Sequence, residues 1–238
     1  MKHSVIMLLL LLTGFYASAQ EMKLQEGLAL KYLVQLPAVK SKNIPVIILL
    51  HGYGSDEKDL FELRTKFPKN FLVIAARAPL ALPNGGYQWY EFNMVNGVSH
   101  PHKDQIGSSR SAIQQFISQI TDKYKADASQ VYLVGFSQGA IMSYEAGLTA
   151  PDKVKGIAVL SGRIDANVQR GIPANGAAKK LRIFISHGTA DDRIKFEEGK
   201  AAVAFLQKNG IEPEFHEYKG MGHSISNEVI ADLLKWLK

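Results

Sequence analysis

A serine between two glycines, at the junction of a predicted strand and a predicted helix, constrains the fold of this chain most strongly. The apolar residues 131–134 lead into Gly135-Phe136-Ser137-Gln138-Gly139, and residues 140–146 have a helical pattern. In this context the serine lies on a sharp strand-to-helix turn with a sparsely populated backbone conformation. Its hydroxyl then lies near the helix N-terminus, where unpaired N–H groups favour negative charge. Ser137 is therefore a candidate nucleophile.

Short apolar runs alternate with helical segments along most of the chain. Predicted strands cover residues 28–36, 44–50, 71–76, 131–134, 154–160, 181–186 and 214–218, and predicted helices cover 57–66, 104–124, 140–146, 195–208 and a last segment ending at 238. This alternation predicts an α/β fold with a mostly parallel central sheet and helices on both faces. Residues 80–102, rich in Gly, Asn and aromatic side chains, form a long irregular segment, which usually has a function.

The N-terminus has the three parts of a secretory signal peptide. A basic start, Met1-Lys2-His3, precedes an apolar run over residues 5–12 and the cleavage pattern Ala17-Ser18-Ala19. The apolar run is too short to span a bilayer, which needs about 20 residues. We predict a signal peptide over residues 1–19, a single domain over 20–238, a periplasmic or extracellular location, and no stable membrane insertion of the mature chain.

The composition excludes several kinds of chemistry. The chain has no cysteine, so a thiol nucleophile, a cysteine-ligated zinc site and a disulfide framework are all excluded. The net charge of +6 could indicate an anionic partner. However, the lysines are scattered and do not alternate with aromatic residues, which favours a solvated surface, so we expect no nucleic-acid partner.

A serine nucleophile needs a base and an acid partner. Among the seven histidines, His223 lies in a glycine-rich loop after the last predicted strand, whereas His51 and His187 precede glycines at strand ends, where a loop-fixing role is more typical. Asp191 follows a strand and gives the chain order Ser…Asp…His expected of α/β-hydrolases. Its neighbour Asp192 is not excluded by spacing, and one of the two is expected to cap the next helix.

An oxyanion requires two converging backbone donors. The N–H of Gln138, directly after the candidate nucleophile, is one. The second is assigned to the N–H of Tyr53, in the loop after the predicted strand 44–50. Because loops at the carboxyl ends of parallel strands meet at one edge of a sheet, we expect Ser137, Asp191 and His223 to lie together there.

Together these segments resemble the phospholipase/carboxylesterase family of α/β-hydrolases, which includes the acyl-protein thioesterases. The resemblance covers nearly the whole predicted mature chain, in the family's order. The matching stretches are His51-Gly52-Tyr53-Gly54-Ser55-Asp56, Trp89-Tyr90-Glu91, Gly135-Phe136-Ser137-Gln138-Gly139-Ala140, Leu160-Ser161-Gly162, His187-Gly188-Thr189-Ala190-Asp191 and Gly220-Met221-Gly222-His223-Ser224-Ile225-Ser226.

The resemblance implies an α/β-hydrolase fold without a large cap domain. The family pattern H-G-x-x-D favours Asp191 over Asp192. It also implies hydrolysis of esters or thioesters with medium acyl chains, without metal or cofactor. Trp89 would line the acyl pocket, and Tyr90 and Met221 are further candidates, with plain core packing as the alternative for Trp89 and Tyr90.

The resulting hypothesis is an exported serine carboxylesterase that hydrolyses small-molecule esters of short to medium acyl chains. The better-known family members are cytosolic, so the predicted export signal makes a cytosolic acyl-protein substrate unexpected. Variants within the enzyme class are lysophospholipase, thioesterase and feruloyl-type esterase. The non-enzymatic alternative is a ligand-binding protein on a hydrolase scaffold that has lost catalysis. We expect a monomer or homodimer.

Overall fold

The computed structural model describes residues 23–39, 41–96, 98–165 and 168–238. The predicted signal peptide, residues 1–19, lies outside the described residues. The strands are β1 (Tyr32–Gln35), β2 (Val46–Leu50), β3 (Leu72–Ala76), β4 (Leu80–Ala81), β5 (Tyr87–Gln88), β6 (Phe92–Val95), β7 (Val98–Pro101), β8 (Val131–Phe136), β9 (Gly156–Leu160), β10 (Arg182–Gly188) and β11 (Glu214–Tyr218), and the α-helices are α1 (Glu57–Phe61), α2 (Lys103–Tyr124), α3 (Gln138–Thr149), α4 (Val168–Gly171), α5 (Phe196–Lys208) and α6 (Asn227–Trp236).

Seven of these strands form one sheet in the order β1-β3-β2-β8-β9-β10-β11. Strand β1 is antiparallel to β3, and all other neighbours are parallel. This arrangement confirms the predicted mostly parallel sheet. Strands β2, β3 and β9 are buried along their whole length, as their continuous apolar runs indicate.

The two faces of the sheet carry separate apolar cores. In β2, Val46, Ile48 and Leu50 belong to one core, with residues of α2, α3 and α5. The intervening Ile47 and Leu49 belong to the other, with residues of α1 and α6. This follows from the strand period of two, because successive side chains point to opposite faces. Helices therefore cover both faces, as predicted.

The segment between β3 and α2 is more regular than predicted. Strand β4 pairs with β5 and β6 pairs with β7, which gives two small antiparallel sheets in place of an irregular loop. Each strand has only two to four residues, too few for a clear alternating pattern. Among the described residues, this segment builds hairpins and not a cap domain.

Two predicted elements are shorter in the structure. Strand β1 covers Tyr32–Gln35, because an isolated bridge between Gln25 and Tyr32 turns the chain before it. The helix predicted over 57–66 changes to a 3₁₀-helix after Phe61, and Asp56 caps its start by accepting the Lys58 N–H. In the part of the chain that the structure describes, no helix is long and apolar enough to cross a membrane.

Candidate active site

The turn between β8 and α3 has the strained geometry predicted for it. Ser137 has φ 54° and ψ −116°, which L-residues rarely adopt. Its N–H donates to the Leu160 carbonyl at 3.0 Å, and its hydroxyl does not cap α3. Neither flanking glycine has room for a Cβ: one at Gly135 would collide with the carbonyl of Gly139, and one at Gly139 with that of Leu50. The hydroxyl is thus held out from the turn.

The structure brings the three predicted side chains into one hydrogen-bonded chain. His223 Nε2 lies 2.8 Å from Ser137 Oγ, and His223 Nδ1 lies 2.8 Å from Asp191 Oδ2. Because a carboxylate only accepts hydrogen bonds, Nδ1 carries the proton and donates it to Asp191. Nε2 is then free to accept the proton of the serine hydroxyl. This is the arrangement in which a neutral imidazole can act as a base.

Asp191, and not Asp192, contacts the imidazole. The Asp191 side chain is buried, and its Oδ1 accepts the backbone N–H groups of Arg193 and Ile194, each at 2.9 Å. Asp192 is exposed. The expectation that one of them caps the next helix is wrong. Helix α5 has Lys195 as its N-cap residue without a side-chain hydrogen bond, since Asp191 binds the amides of the preceding turn instead.

The loops that carry Asp191 and His223 are tied to each other. They follow β10 and β11, which are parallel neighbours. Thr189 N–H donates to Tyr218 O at 3.0 Å, Ala190 N–H donates to Met221 O at 3.0 Å, and Gly220 N–H donates to Thr189 Oγ1 at 2.9 Å. These bonds fix the positions of Asp191 and His223 relative to each other without any contact to Ser137.

The two residues predicted to donate to the oxyanion line the same cavity as the serine. Tyr53 and Gln138 line it together with Ser137 and His223. Neither the Tyr53 N–H nor the Gln138 N–H donates a hydrogen bond to any residue that the structure describes. A Cβ built on Gly52 would lie 3.4 Å from Ser137 Cβ, so the Tyr53 loop passes directly beside the nucleophile.

The other two strand-end histidines have the loop-fixing role predicted for them. His51 Nε2 accepts the N–H of Ala78 at 3.1 Å, so its Nδ1 carries the proton and donates to Gly52 O at 2.7 Å. Burial lowers the pKa of His51, which keeps the ring neutral. His187 Nε2 donates to Ile194 O at 2.8 Å and so helps to shape the turn after Asp191.

The cavity above the serine has a volume of about 970 Å³. Tyr90 lines it, as predicted. Trp89 and Met221 do not. Trp89 is fully buried because its indole N–H turns inward to the His51 carbonyl at 2.9 Å, and Met221 packs against the core on the α1 and α6 face. The structure therefore favours the core-packing alternative for Trp89.

Two groups of site residues were not predicted from the sequence. Phe92 and Met94 of β6, with Ser99 and Pro101 of β7, line one wall of the cavity. The aromatic content of residues 80–102 was the only signal for this wall. The side chain of Gln138 is the second: predicted only as a backbone donor, it is buried and hydrogen-bonded to the backbone of Trp89 and Tyr90.

Comparison with known proteins agrees with this geometry. The sequence model of the phospholipase/carboxylesterase family matches residues 33–238. The chain belongs to this family. A probable carboxylesterase, SOBER1-like, from Arabidopsis thaliana is 34% identical over 204 residues, which cover 81% of this chain and 77% of the relative. Acyl-protein thioesterase 1 from Yarrowia lipolytica is 29% identical and covers 86% of this chain and 95% of its own length.

The fold is also shared with solved structures. A carboxylesterase from Mesorhizobium loti superimposes with a TM-score of 0.76 at 23% identity, covering 90% of this chain and 97% of that one. The chain thus has the α/β-hydrolase fold, and family membership places it among serine hydrolases that act on carboxylic ester bonds.

Proposed function

We propose that this chain is an exported serine carboxylesterase that hydrolyses small-molecule esters of short to medium acyl chains through an acyl-enzyme on Ser137. The observation that carries the proposal is the hydrogen-bonded chain from Ser137 Oγ through His223 to Asp191 at the wall of a cavity. Nucleophile, base and acid lie at the separations that proton transfer requires.

The geometry supports a two-step reaction. Ser137 Oγ attacks the ester carbonyl while its proton passes to His223 Nε2. The tetrahedral intermediate collapses when His223 returns this proton to the leaving alcohol, and an acyl-enzyme remains. A water molecule then loses a proton to His223 and attacks the acyl carbon, and Ser137 leaves with the proton that His223 gives back. Asp191 orients the ring and stabilises its charged form in both steps.

The oxyanion of each tetrahedral intermediate is assigned to the N–H groups of Tyr53 and Gln138. Both are without a protein acceptor among the described residues and lie beside Ser137. Gln138 is the first residue of α3, so the helix dipole adds to its N–H. Removal of one such donor in a serine hydrolase typically costs about 3 kcal/mol of transition-state stabilisation.

The cavity supports an acyl chain next to the nucleophile. Its volume of about 970 Å³ lies at the upper end of the range of small-molecule sites. Phe92, Met94, Ile141 and Ile164 give it apolar surface, and Tyr90 adds an aromatic ring. We assign this surface to the acyl group and the open side of the cavity to the alcohol.

Export is supported by the sequence of residues 1–19. We propose that cleavage after Ala19 leaves residues 20–238 as a single hydrolase domain in the periplasm or outside the cell. Expression of the full chain in a bacterial host, followed by cell fractionation and N-terminal sequencing, tests this. A cytoplasmic product that retains Met1 would contradict the export part of the proposal and leave the esterase part unaffected.

Turnover of p-nitrophenyl esters of increasing acyl length tests the esterase part. We expect Ser137→Ala to abolish turnover and labelling by a fluorophosphonate probe. Ser111→Ala, on the exposed face of α2, is the matched control and should retain both. Unchanged turnover in Ser137→Ala would reject the nucleophile. No turnover of any ester or thioester and no labelling of the wild type would favour the binding-protein alternative.

A further inference from the structure

We propose that the side chains of Trp89 and Gln138 are positioning residues that hold the two oxyanion donors, the N–H groups of Tyr53 and Gln138, at a fixed distance from each other. The inference rests on the proposed function, because it concerns the same reaction. It assigns a role to two side chains that the acid–base mechanism does not use.

The first part of the argument is the pairing between Gln138 and the Trp89 backbone. Gln138 Oε1 accepts the Trp89 N–H at 2.7 Å, and Gln138 Nε2 donates to the Tyr90 carbonyl at 2.8 Å. Gln138 is only 4% exposed, so these bonds are largely shielded from bulk water. The Trp89 carbonyl is held independently by Ser109 Oγ at 2.5 Å. The side chain of Gln138 thus anchors the first turn of α3 to the backbone of Trp89 and Tyr90.

The second part is the contact from Trp89 to the other donor loop. The indole Nε1–H donates to the His51 carbonyl at 2.9 Å. The next carbonyl, that of Gly52, accepts from His51 Nδ1 at 2.7 Å. Two successive peptide groups before Tyr53 are therefore held by buried side chains. Trp89, fully buried, connects this loop to Gln138 through its own backbone.

Because of the peptide geometry, these hydrogen bonds also determine the direction of the Tyr53 N–H. The Gly52 carbonyl and the Tyr53 N–H belong to one planar trans peptide, so they point in opposite directions. When the carbonyl is fixed, the direction of the Tyr53 N–H is fixed as well. The His51–Gly52 peptide, anchored by Trp89, sets the position of this plane.

Close packing explains why side chains at a distance perform this task. A Cβ on Gly139 would lie 2.6 Å from the His51 carbonyl oxygen, so the start of α3 and the His51 loop meet backbone to backbone. No side chain fits between them. The side-chain hydrogen bonds that link the two segments therefore lie beside this contact, at Trp89 and Gln138. A misplacement of about 1 Å in such a site can reduce the rate about 100-fold.

The test uses Gln138→Met and Trp89→Phe in the full chain. Both variants remove side-chain hydrogen bonds and leave every backbone N–H in place. Gln138→Met also keeps a similar volume, whereas Trp89→Phe keeps an aromatic ring but leaves a small cavity. The matched control is Gln114→Met. Gln114 also makes two side-chain hydrogen bonds to α3, to Ala146 O and Thr149 Oγ1, but at the end of the helix away from Ser137.

We expect kcat for p-nitrophenyl butyrate to fall about 10- to 100-fold in both site variants, with KM within about threefold of wild type. The inhibition constant of an aryl boronic acid, which forms a tetrahedral adduct with the serine, should rise by the factor by which kcat/KM falls. Gln114→Met should lower only the melting temperature. A kcat/KM and boronate affinity within twofold of Gln114→Met in both site variants would overturn the proposal.

A second measurement does not depend on turnover. Amide hydrogen exchange over residues 51–55 should be faster in Trp89→Phe and Gln138→Met than in wild type, and unchanged in Gln114→Met. If the wild type itself hydrolyses no ester, the proposed function fails, and the exchange result alone then decides whether these side chains hold the loop. Unchanged exchange in both site variants would reject the anchoring.

Discussion

Asp191 holds His223 through one carboxylate oxygen only. Oδ2 lies 2.8 Å from His223 Nδ1, while Oδ1 accepts two backbone N–H groups, from Arg193 and Ile194. The division of the two oxygens has a consequence for any neutral replacement. A side chain at position 191 must direct a hydrogen-bond acceptor toward the N–H groups of Arg193 and Ile194. The second terminal atom of that side chain then faces the imidazole of His223.

In Asp191→Asn, the amide oxygen is expected to replace Oδ1 and the NH₂ group to replace Oδ2. The NH₂ group would then donate to His223 Nδ1 and force the proton onto Nε2, which can no longer accept from Ser137. We expect kcat to fall about 10⁴-fold with little loss of stability. Steady-state kinetics and thermal unfolding check this, with Asp192→Asn as the control. A loss below tenfold would contradict the assignment of Asp191.

The strained backbone of Ser137 predicts an unusual order of stability among inactive variants. Alanine keeps the strain of φ 54° and ψ −116°, whereas glycine relieves it. Strain of this kind costs about 1–3 kcal/mol. Glycine removes this cost, but it also increases the conformational entropy of the unfolded chain, which offsets part of the gain in stability. We expect Ser137→Gly to be about 1 kcal/mol more stable than Ser137→Ala in urea unfolding. Equal stability of the two variants would show that the turn is unstrained.

The ion pair between the buried Glu57 and the partly exposed Arg77 predicts a loss of stability in acid. Arg77 Nε and Nη2 contact the two carboxylate oxygens at 2.6 and 2.7 Å. Burial is the largest single effect and would raise the pKa of Glu57. The Arg77 hydrogen bonds, a backbone hydrogen bond and the positive charge of Arg77 together outweigh burial, so the pKa is lowered. The contribution of Glu57 to stability is therefore complete above the ordinary glutamate value of about 4.3 and is lost as the pH falls through the lowered pKa.

At pH 7 we expect Glu57→Gln to lower the free energy of unfolding by about 1–3 kcal/mol, because Arg77 loses its carboxylate partner and keeps only the Tyr87 hydroxyl. The difference from wild type should shrink as the pH falls below the ordinary glutamate value of about 4.3 and through the lowered pKa, because protonation removes the charge that Arg77 contacts. Urea unfolding at several pH values measures this. Glu26→Gln, which removes an exposed pair with Lys31, is the control and should have no measurable effect.

Glu145 predicts the opposite pH dependence. Its side chain is fully buried, Oε2 contacts Arg110 Nη1 at 3.1 Å, and Oε1 has no hydrogen-bond partner among the described residues. Burial raises the pKa of Glu145, although Arg110 opposes this. Its contribution is therefore most favourable at low pH and is lost as the pH rises through the raised pKa.

The neutral Glu145→Gln variant should therefore gain stability relative to wild type between about pH 4, near the ordinary glutamate value, and about pH 8. Urea unfolding at both pH values tests the sign. A variant that loses stability relative to wild type over this interval would show that Arg110 compensates for burial fully.

The centre of the fold was predictable because its signals are local. Strands such as β2 and β9 are continuous apolar runs, and the strand-to-helix turn at Ser137 has a distinctive motif. The hairpins between β3 and α2 were not predictable, since their short strands are held by distant groups. For example, the Gln105 side chain accepts the Glu91 N–H, and Ser55 pairs with Tyr87.

Within the site, the three side chains of the hydrogen-bonded chain were easier to predict than the direction of the Trp89 ring. Ser137, His223 and Asp191 were predicted from chain order and motif, although spacing alone did not separate Asp191 from Asp192, and the structure brings the three side chains together. The inward direction of Trp89 could not be predicted, because it depends on a hydrogen bond to His51, which is remote in sequence. The position of an aromatic residue in a motif does not indicate whether its ring lines the cavity or packs in the core.

The amide of Ser137 is already bonded to Leu160, so it is not free to bind an oxyanion, and the proposed donors are the amides of Tyr53 and Gln138. The four segments that carry donors, nucleophile, acid and base follow β2, β8, β10 and β11. All four are brought together only when the sheet is complete. Ester turnover should consequently be the last property to return during refolding, and a chain kept unfolded for transport would be inert.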